Sequence, residues 1–173
     1  IALRAFESLW AQGKDLNLVI VGKMGWSMQR TEDLAKEIAE HGENGKRLFW
    51  LSGASDEYLD KLYAASDCLI AASEGEGFGL PLIEAAQHGL PIIARDIPVF
   101  REVAGGHAHY FENQRDPASL SSSIERWIEL NEKGQAPSST EIEYLSWKES
   151  AQQLFSCLAE KKEPYLEVLK RSE

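Results

Sequence analysis

Residues 72–91 read A-S-E-G-E-G-F-G-L-P-L-I-E-A-A-Q-H-G-L-P, from Ala72 to Pro91. Three glycines, Gly75, Gly77 and Gly79, stand between an apolar run (Cys68–Ala72) and a segment that reads as a helix from Pro81 to His88. Glycine has no Cβ, so such a turn lets backbone approach a ligand closely. Proline is tolerated at a helix start because the first N–H groups of a helix have no intrahelical acceptor. Those free donors, with the positive end of the helix dipole, make an anion site. In an open α/β sheet the ligand site also lies beyond the carboxyl ends of the strands. A diphosphate is the natural occupant.

Two carboxylates frame the turn. Glu76 lies within it, and Glu84 lies about one turn into the helix. A carboxylate repels phosphate, so beside a phosphate site it must serve something else. Ionised, it accepts hydrogen bonds from vicinal hydroxyls of a sugar. Two acids, one on each side of a diphosphate, would suit a nucleotide-sugar, with a ribose at one end and a hexose at the other. The same residues also fit a plainer reading. Glycine-rich turns between strand and helix are common, and the dipole alone favours an acid early in a helix. Glu74 and Glu76 form an acid pair of the kind that can bind a metal, but no further ligands accompany them, and no metal is expected.

Outward from this turn, apolar periodicity predicts a helix over Ala2–Leu9 ended at Gly13, then a strand over Leu16–Val21. A helix over Thr31–His41, a strand over Arg47–Leu51, a helix over Asp56–Ala65 and a strand over Asp67–Ala72 follow. Beyond the turn come a strand at Pro91–Ala94, a short helix at Ile97–Ala104, a strand at His109–Phe111 and a helix at Asp116–Leu130. A polar stretch, Lys133–Thr140, precedes a last helical segment that begins near Trp147. Strands that alternate with helices predict an α/β fold, a Rossmann-like parallel sheet with helices on both faces. The runs Leu18–Val21, Cys68–Ala72 and Pro91–Ala94 lack strict alternation, as strands covered on both sides do. The sequence opens on a helix where such a unit opens on a strand, so a first strand is expected to be missing. An N-terminal helix packed outside the sheet is the alternative. Residues 1–173 are read as a single nucleotide-sugar-binding domain, with 141–173 as a C-terminal helical segment.

Composition bounds the partners. The chain of 173 residues has the size of one domain, and 43% hydrophobic content suits a globular core. A formal net charge of −10 argues against a nucleic-acid partner, which needs a basic stripe. No apolar run approaches the ~20 residues of a membrane span, and no signal-peptide pattern is visible. Cys68 and Cys157 sit in apolar contexts far apart in sequence and read as buried hydrophobes rather than a disulfide, which fits a cytoplasmic protein.

The quoted stretch resembles the E-x7-E motif of the family 4 retaining glycosyltransferases, whose fold is the two-domain GT-B fold. The family pattern E-G-F-G-L-P-x-x-E-A-x-x-x-G-x-P stands here as Glu76-Gly77-Phe78-Gly79-Leu80-Pro81, then Glu84-Ala85, Gly89 and Pro91. The resemblance extends to Leu18–Gly22, Asp56–Asp67, Asp96–Gly105 and Tyr144–Leu154. It implies that the chain is the C-terminal, donor-binding half of such an enzyme. Glu76 would contact the transferred sugar as the catalytic residue. The backbone around Gly77 and the amides of Phe78, Gly79 and Leu80 would meet that sugar and the distal phosphate. Glu84 would bind the ribose; Ser52, Gly53 and Ala54 would lie against the base; Gly22 and Lys23 would border the donor.

Two departures follow from the same comparison. The strand with an Arg and a Lys-Gly pair that clamps the diphosphate in the family is absent, as is the acceptor domain with its His. His88, His107 and His109 read as structural or surface residues. The isolated chain is therefore expected to lack transfer activity. The loop Gly22–Trp26 and the stretch D-I-P-V-F-R-E-V are similar to bacterial O-antigen mannosyltransferases, so the implied donor is GDP-mannose. No cofactor is expected. The implied partners are the nucleotide-sugar donor and a saccharide or lipid-linked acceptor, met through the missing N-terminal domain. Nucleic acid is excluded, and the full-length protein would work in the cytoplasm, at the inner membrane's cytoplasmic face. A non-catalytic nucleotide-sugar-binding module and a sugar-nucleotide epimerase of the same fold are the alternatives.

Overall fold

The computed structural model describes residues 1–22 and 28–159. Residues 1–142 form one compact unit and residues from Glu143 onward a second, each described by itself.

In the first unit the element order is α1 (Ala2–Ala11), β1 (Leu18–Val21), α2 (Met28–Glu40), β2 (Leu48–Leu51), α3 (Asp56–Ala65), β3 (Leu69–Ala71), α4 (Leu80–Gln87), β4 (Ile92–Arg95), α5 (Pro98–Ala104), β5 (His109–Phe111) and α6 (Pro117–Glu132). A single 3-10 turn at Ser139–Glu141 lies in the polar stretch read as a connection. The helices begin where local chemistry allows. Ser55 caps α3 by accepting from the Tyr58 N–H, and Asp116 caps α6 by accepting from the Ala118 N–H. Pro98 and Pro117 enter helices at their starts, where no donor is lost.

All strand pairing is parallel. β1 pairs with β2, and β3, β4 and β5 pair in that order. The expected single sheet is thus present as two ladders, with no backbone pairing between β1 and β3 among the described residues. Strand side chains alternate between faces, and that alternation sorts the core into two clusters. Leu18, Leu48, Ile93 and Phe111, with Ile20, Trp50 and Ile70, pack beneath α1, α2 and α6. Ala71, Ile92 and Ala94, with Leu69 and Tyr110, pack beneath α3, α4 and α5. Helices therefore cover both faces of the three-stranded ladder.

One expectation fails. Leu18–Val21 was expected to be covered on both sides, yet Val19 and Val21 are 40% and 41% exposed. They point away from the first cluster, and no β1 or β2 residue joins the second, so among the described residues a buried cluster forms on one face of this ladder only. The second unit carries α7 (Trp147–Ala159), whose start is fixed by Ser146: its hydroxyl accepts from the Glu149 N–H, and Glu149 accepts from the Ser146 N–H in return. Trp147, Leu154, Phe155 and Leu158 are exposed on it. Among the described residues no helix is long and apolar enough to cross a membrane.

Candidate functional site

The glycine turn joins the carboxyl end of β3 to α4, and its three glycines are not equivalent. Gly79 sits in the left-handed region (φ 83°, ψ 35°) as the residue that caps α4. A Cβ there would stand 3.4 Å from the Phe100 ring, an ordinary contact, so it is the left-handed backbone that favours glycine. A Cβ at Gly75 or Gly77 would meet nothing within 4 Å. Those two leave open space in front of the turn rather than solving a packing problem.

The helix opens at Leu80, one residue before the proline expected to start it. Pro81 has no N–H, and the Leu82 N–H is already held by the Gly79 carbonyl at 2.9 Å. The free donors therefore precede the proline: among the described residues nothing accepts from the N–H groups of Phe78, Gly79 or Leu80. These are the three amides that the family resemblance assigns to sugar and phosphate. Gly77 is different, because its N–H donates to Glu76 Oε1 at 3.0 Å, folding that exposed carboxylate back onto its own turn. Phe78 is 58% exposed beside it.

Glu84 is half-buried on α4, and Oε2 accepts the Tyr63 hydroxyl at 2.8 Å. Burial and the neighbouring carboxylate push the Tyr63 phenol well above its ordinary value, so it stays a donor at all ordinary pH. Sequence reasoning missed this partner, and the only signal for it was a tyrosine one residue past the apolar position Leu62.

Beneath the turn lies a cation that sequence reasoning also passed over. Arg95, the last residue of β4, is 1% exposed. Its Nε and one terminal nitrogen donate to the Ala72 carbonyl at 3.2 Å, and the other donates to the Gln114 carbonyl at 2.6 Å. The guanidinium also sits 5.1 Å from the Phe111 ring. It thereby ties the residue that follows β3, two positions before Glu74, to the turn after β5. The available signal was a charged residue closing the buried run Pro91–Ala94. Glu74 does not pair with Glu76: it binds Arg115 at 2.7 Å, whose hydrogen bond holds the Glu74 carboxyl below the usual carboxylate range. No cluster of three metal-ligating side chains occurs among the described residues.

The remaining expected site residues lie at the end of the other ladder. The Gly22 N–H donates to the Leu51 carbonyl at 3.1 Å and its own carbonyl accepts Trp50 Nε1 at 3.0 Å, which sets Gly22 beside Ser52. Ser52 and Gly53 are exposed and Ala54 is half-buried. Ser52 also rims a cavity of about 370 Å³ with Trp50, Asn44 and three residues of α2. No hydrogen bond joins Ser52, Gly53 or Ala54 to the glycine turn among the described residues. Lys23, and the loop to Trp26 apart from Gly22, lie outside the described residues.

The histidines and cysteines keep to structural positions. His88 stacks on Tyr63, with ring centroids 5.3 Å apart, and lies 3.4 Å from Asp60. His107 lies near Glu141 at 3.8 Å, and burial holds His109 below its ordinary value. Both cysteines are free, and burial pushes the Cys68 thiol up to about 12.

Comparison with known proteins adds a family to this geometry. The family described as Glycosyl transferases group 1 matches residues 1–143. A serotype-specific mannosyltransferase of Escherichia coli, WbdA, is 51% identical over 156 residues, which is 90% of this chain and 19% of that protein. The chain therefore spans about one fifth of that curated relative's length. Among solved structures, sucrose-phosphate synthase from Thermosynechococcus elongatus superposes with a TM-score of 0.69 at 21% identity, over 92% of this chain and 42% of that one. HepE of Anabaena, solved with UDP and glucose, superposes with a TM-score of 0.61 at 22% identity, over 77% of this chain and 36% of its own.

Proposed function

The chain belongs to the glycosyl transferases of group 1, and on that premise we propose that it forms the donor-binding part of a retaining hexosyltransferase. The transferred sugar is mannose, carried by GDP-mannose. The observation that carries this reading is the row of unpartnered amides at Phe78, Gly79 and Leu80, flanked by Glu76 on one side and Glu84 on the other. Preorganised donors aimed at a leaving diphosphate stabilise the charge that develops as the glycosidic bond breaks. Glu76 orients the hexose, Glu84 holds the ribose, and the base lies toward Gly22 and Ser52–Ala54.

The mannose assignment is supported by the 51% identity to a mannosyltransferase. The nucleotide-sugar class has a second support in HepE, a protein of like fold solved with UDP and glucose. The acceptor is a growing polysaccharide or lipid-linked saccharide, and the full-length protein meets it in the cytoplasm, at the inner face of the membrane.

Calorimetric titration of the chain with GDP and UDP tests the binding step, and assays of the full-length protein with GDP-mannose and UDP-hexoses test the reaction. Binding of GDP together with transfer from GDP-mannose is expected. Transfer from a UDP-sugar alone would replace the donor. Donor turnover without an acceptor product would favour an epimerase, and binding with no turnover would leave a binding module.

A further inference from the structure

We propose that Tyr63 is a positioning residue: its hydroxyl fixes the Glu84 carboxylate in the orientation that receives the donor's ribose hydroxyls. This inference rests on the reading of Glu84 as the ribose-binding acid and adds the residue that makes it selective.

Glu84 has no cationic partner among the described residues, and its side-chain hydrogen bond is the one at 2.8 Å from the Tyr63 hydroxyl to Oε2. A half-buried glutamate with no such contact would spread over several rotamers, and fixing one of them on binding costs affinity. Tyr63 is able to fix it because it is itself held. Its ring is buried in the cluster beneath α3, α4 and α5, and it stacks at an interplanar angle of 15° on His88, the residue that caps the carboxyl end of α4. His88 in turn lies 3.4 Å from Asp60, one turn before Tyr63 on α3. The buried, stacked ring thus presents its hydroxyl to Glu84 from one fixed direction. With Oε2 engaged, the carboxylate keeps Oε1 and one further lone pair, enough to accept from two vicinal hydroxyls.

The test titrates GDP and UDP, each paired with its 2′,3′-dideoxy analogue, into the chain and into Tyr63→Phe and Glu84→Ala variants. The nucleotide that binds the unaltered chain more tightly is carried through. Tyr63→Phe removes one oxygen and leaves the stacked ring, and a melting curve checks that the fold is retained. The expected result is a loss of about 3- to 10-fold in affinity for the ribonucleotide in Tyr63→Phe. The dideoxy analogue should change by less than about 2-fold, and Glu84→Ala should abolish the ribose preference altogether. Equal weakening of both ligands by Tyr63→Phe, or none, would overturn the positioning role while leaving Glu84 in place. Absence of any ribose preference in the unaltered chain, or of any nucleotide binding, would overturn the ribose reading and this inference with it.

Discussion

The two ladders of this fold are built from the same parallel pairing and are finished differently. β3, β4 and β5 lie between two helical layers, and β4 is buried throughout, with Ile92 and Ile93 each 1% exposed and Ala94 at 0%. Among the described residues β1 and β2 pack into a buried cluster on one face, and Val19 and Val21 are exposed on the other. The glycine turn, Glu76 and Glu84 all belong to the closed ladder, whereas Gly22 and Ser52–Ala54 belong to the open one. The turn proposed to recognise phosphate and sugar therefore sits at the end of the ladder that helices cover on both faces. The part assigned to the base sits where fewer neighbours constrain it.

Truncation of core residues gives the sharpest test of that contrast. Ile93→Ala is expected to cost about 3 kcal/mol in urea denaturation, the range for a buried aliphatic side chain that leaves a cavity. Val19→Ala should cost less than about 1 kcal/mol, because much of that side chain already meets solvent. Equal costs would mean that the open face of β1 is covered in solution.

Arg95 tests what closes the better-packed ladder. Arg95→Met should lower stability by about 2–3 kcal/mol, since it removes the buried guanidinium that donates to the Ala72 and Gln114 carbonyls. The same denaturation series measures it, and a loss below about 0.5 kcal/mol would show that water replaces the guanidinium at no cost.

The next two predictions concern the acids on that ladder. Glu84→Ala should weaken nucleotide binding by about 1–3 kcal/mol with the fold intact, as read by calorimetry. Unchanged affinity would remove its ribose role. Glu76→Gln, in the full-length protein, should lower turnover at least ~10-fold, about 1.4 kcal/mol of transition-state stabilisation. Its affinity for the bare nucleotide should stay within a factor of about three. Loss of nucleotide affinity with normal turnover would mean the two acids have exchanged jobs.

The smallest expected effect belongs to the clasp at the edge of the closed ladder. Arg101 binds Asp96 through two nitrogens at 2.7 Å and lies over the Tyr110 ring at 3.6 Å. The hydrogen bonds from Arg101 hold the Asp96 carboxyl below its ordinary range. A depressed carboxyl contributes stability that is present above its unfolded value, near pH 4, and is lost as pH falls through the lower folded value. Arg101→Gln should therefore be less stable at pH 6 by under about 1 kcal/mol, with the difference shrinking toward pH 3. Stability curves at several pH values would expose a constant offset, which would assign the whole effect to packing on Tyr110.

Most of the secondary structure was legible without coordinates. The helix Asp56–Ala65 and the strand His109–Phe111 were read at their observed bounds, and the other described helices and strands shifted only at their ends, apart from the 3-10 turn at Ser139–Glu141, which was not read. Capping residues, prolines and apolar periodicity act over a few residues, so they can be read from a linear string. The glycine turn was legible for the same reason, but local chemistry put its free donors after Pro81, whereas they precede it, at the amides that only the family resemblance had pointed to. What was not legible was which face of β1 finds a covering helix, because periodicity reports that a side chain is apolar and not what lies opposite it.

By itself the sequence determined the βα alternation, the turn, the two acids that frame it and, through the motif, the family. The tertiary structure alone decided how those acids are held. Tyr63 reaches Glu84 across 21 residues, Arg95 reaches the Ala72 carbonyl across 23, and Arg115 reaches Glu74 across 41. Each of these contacts depends on how helices and strands distant in the chain pack against one another. A hydrogen bond is made or lost within a few tenths of an ångström, a precision that local sequence rules do not carry over such separations.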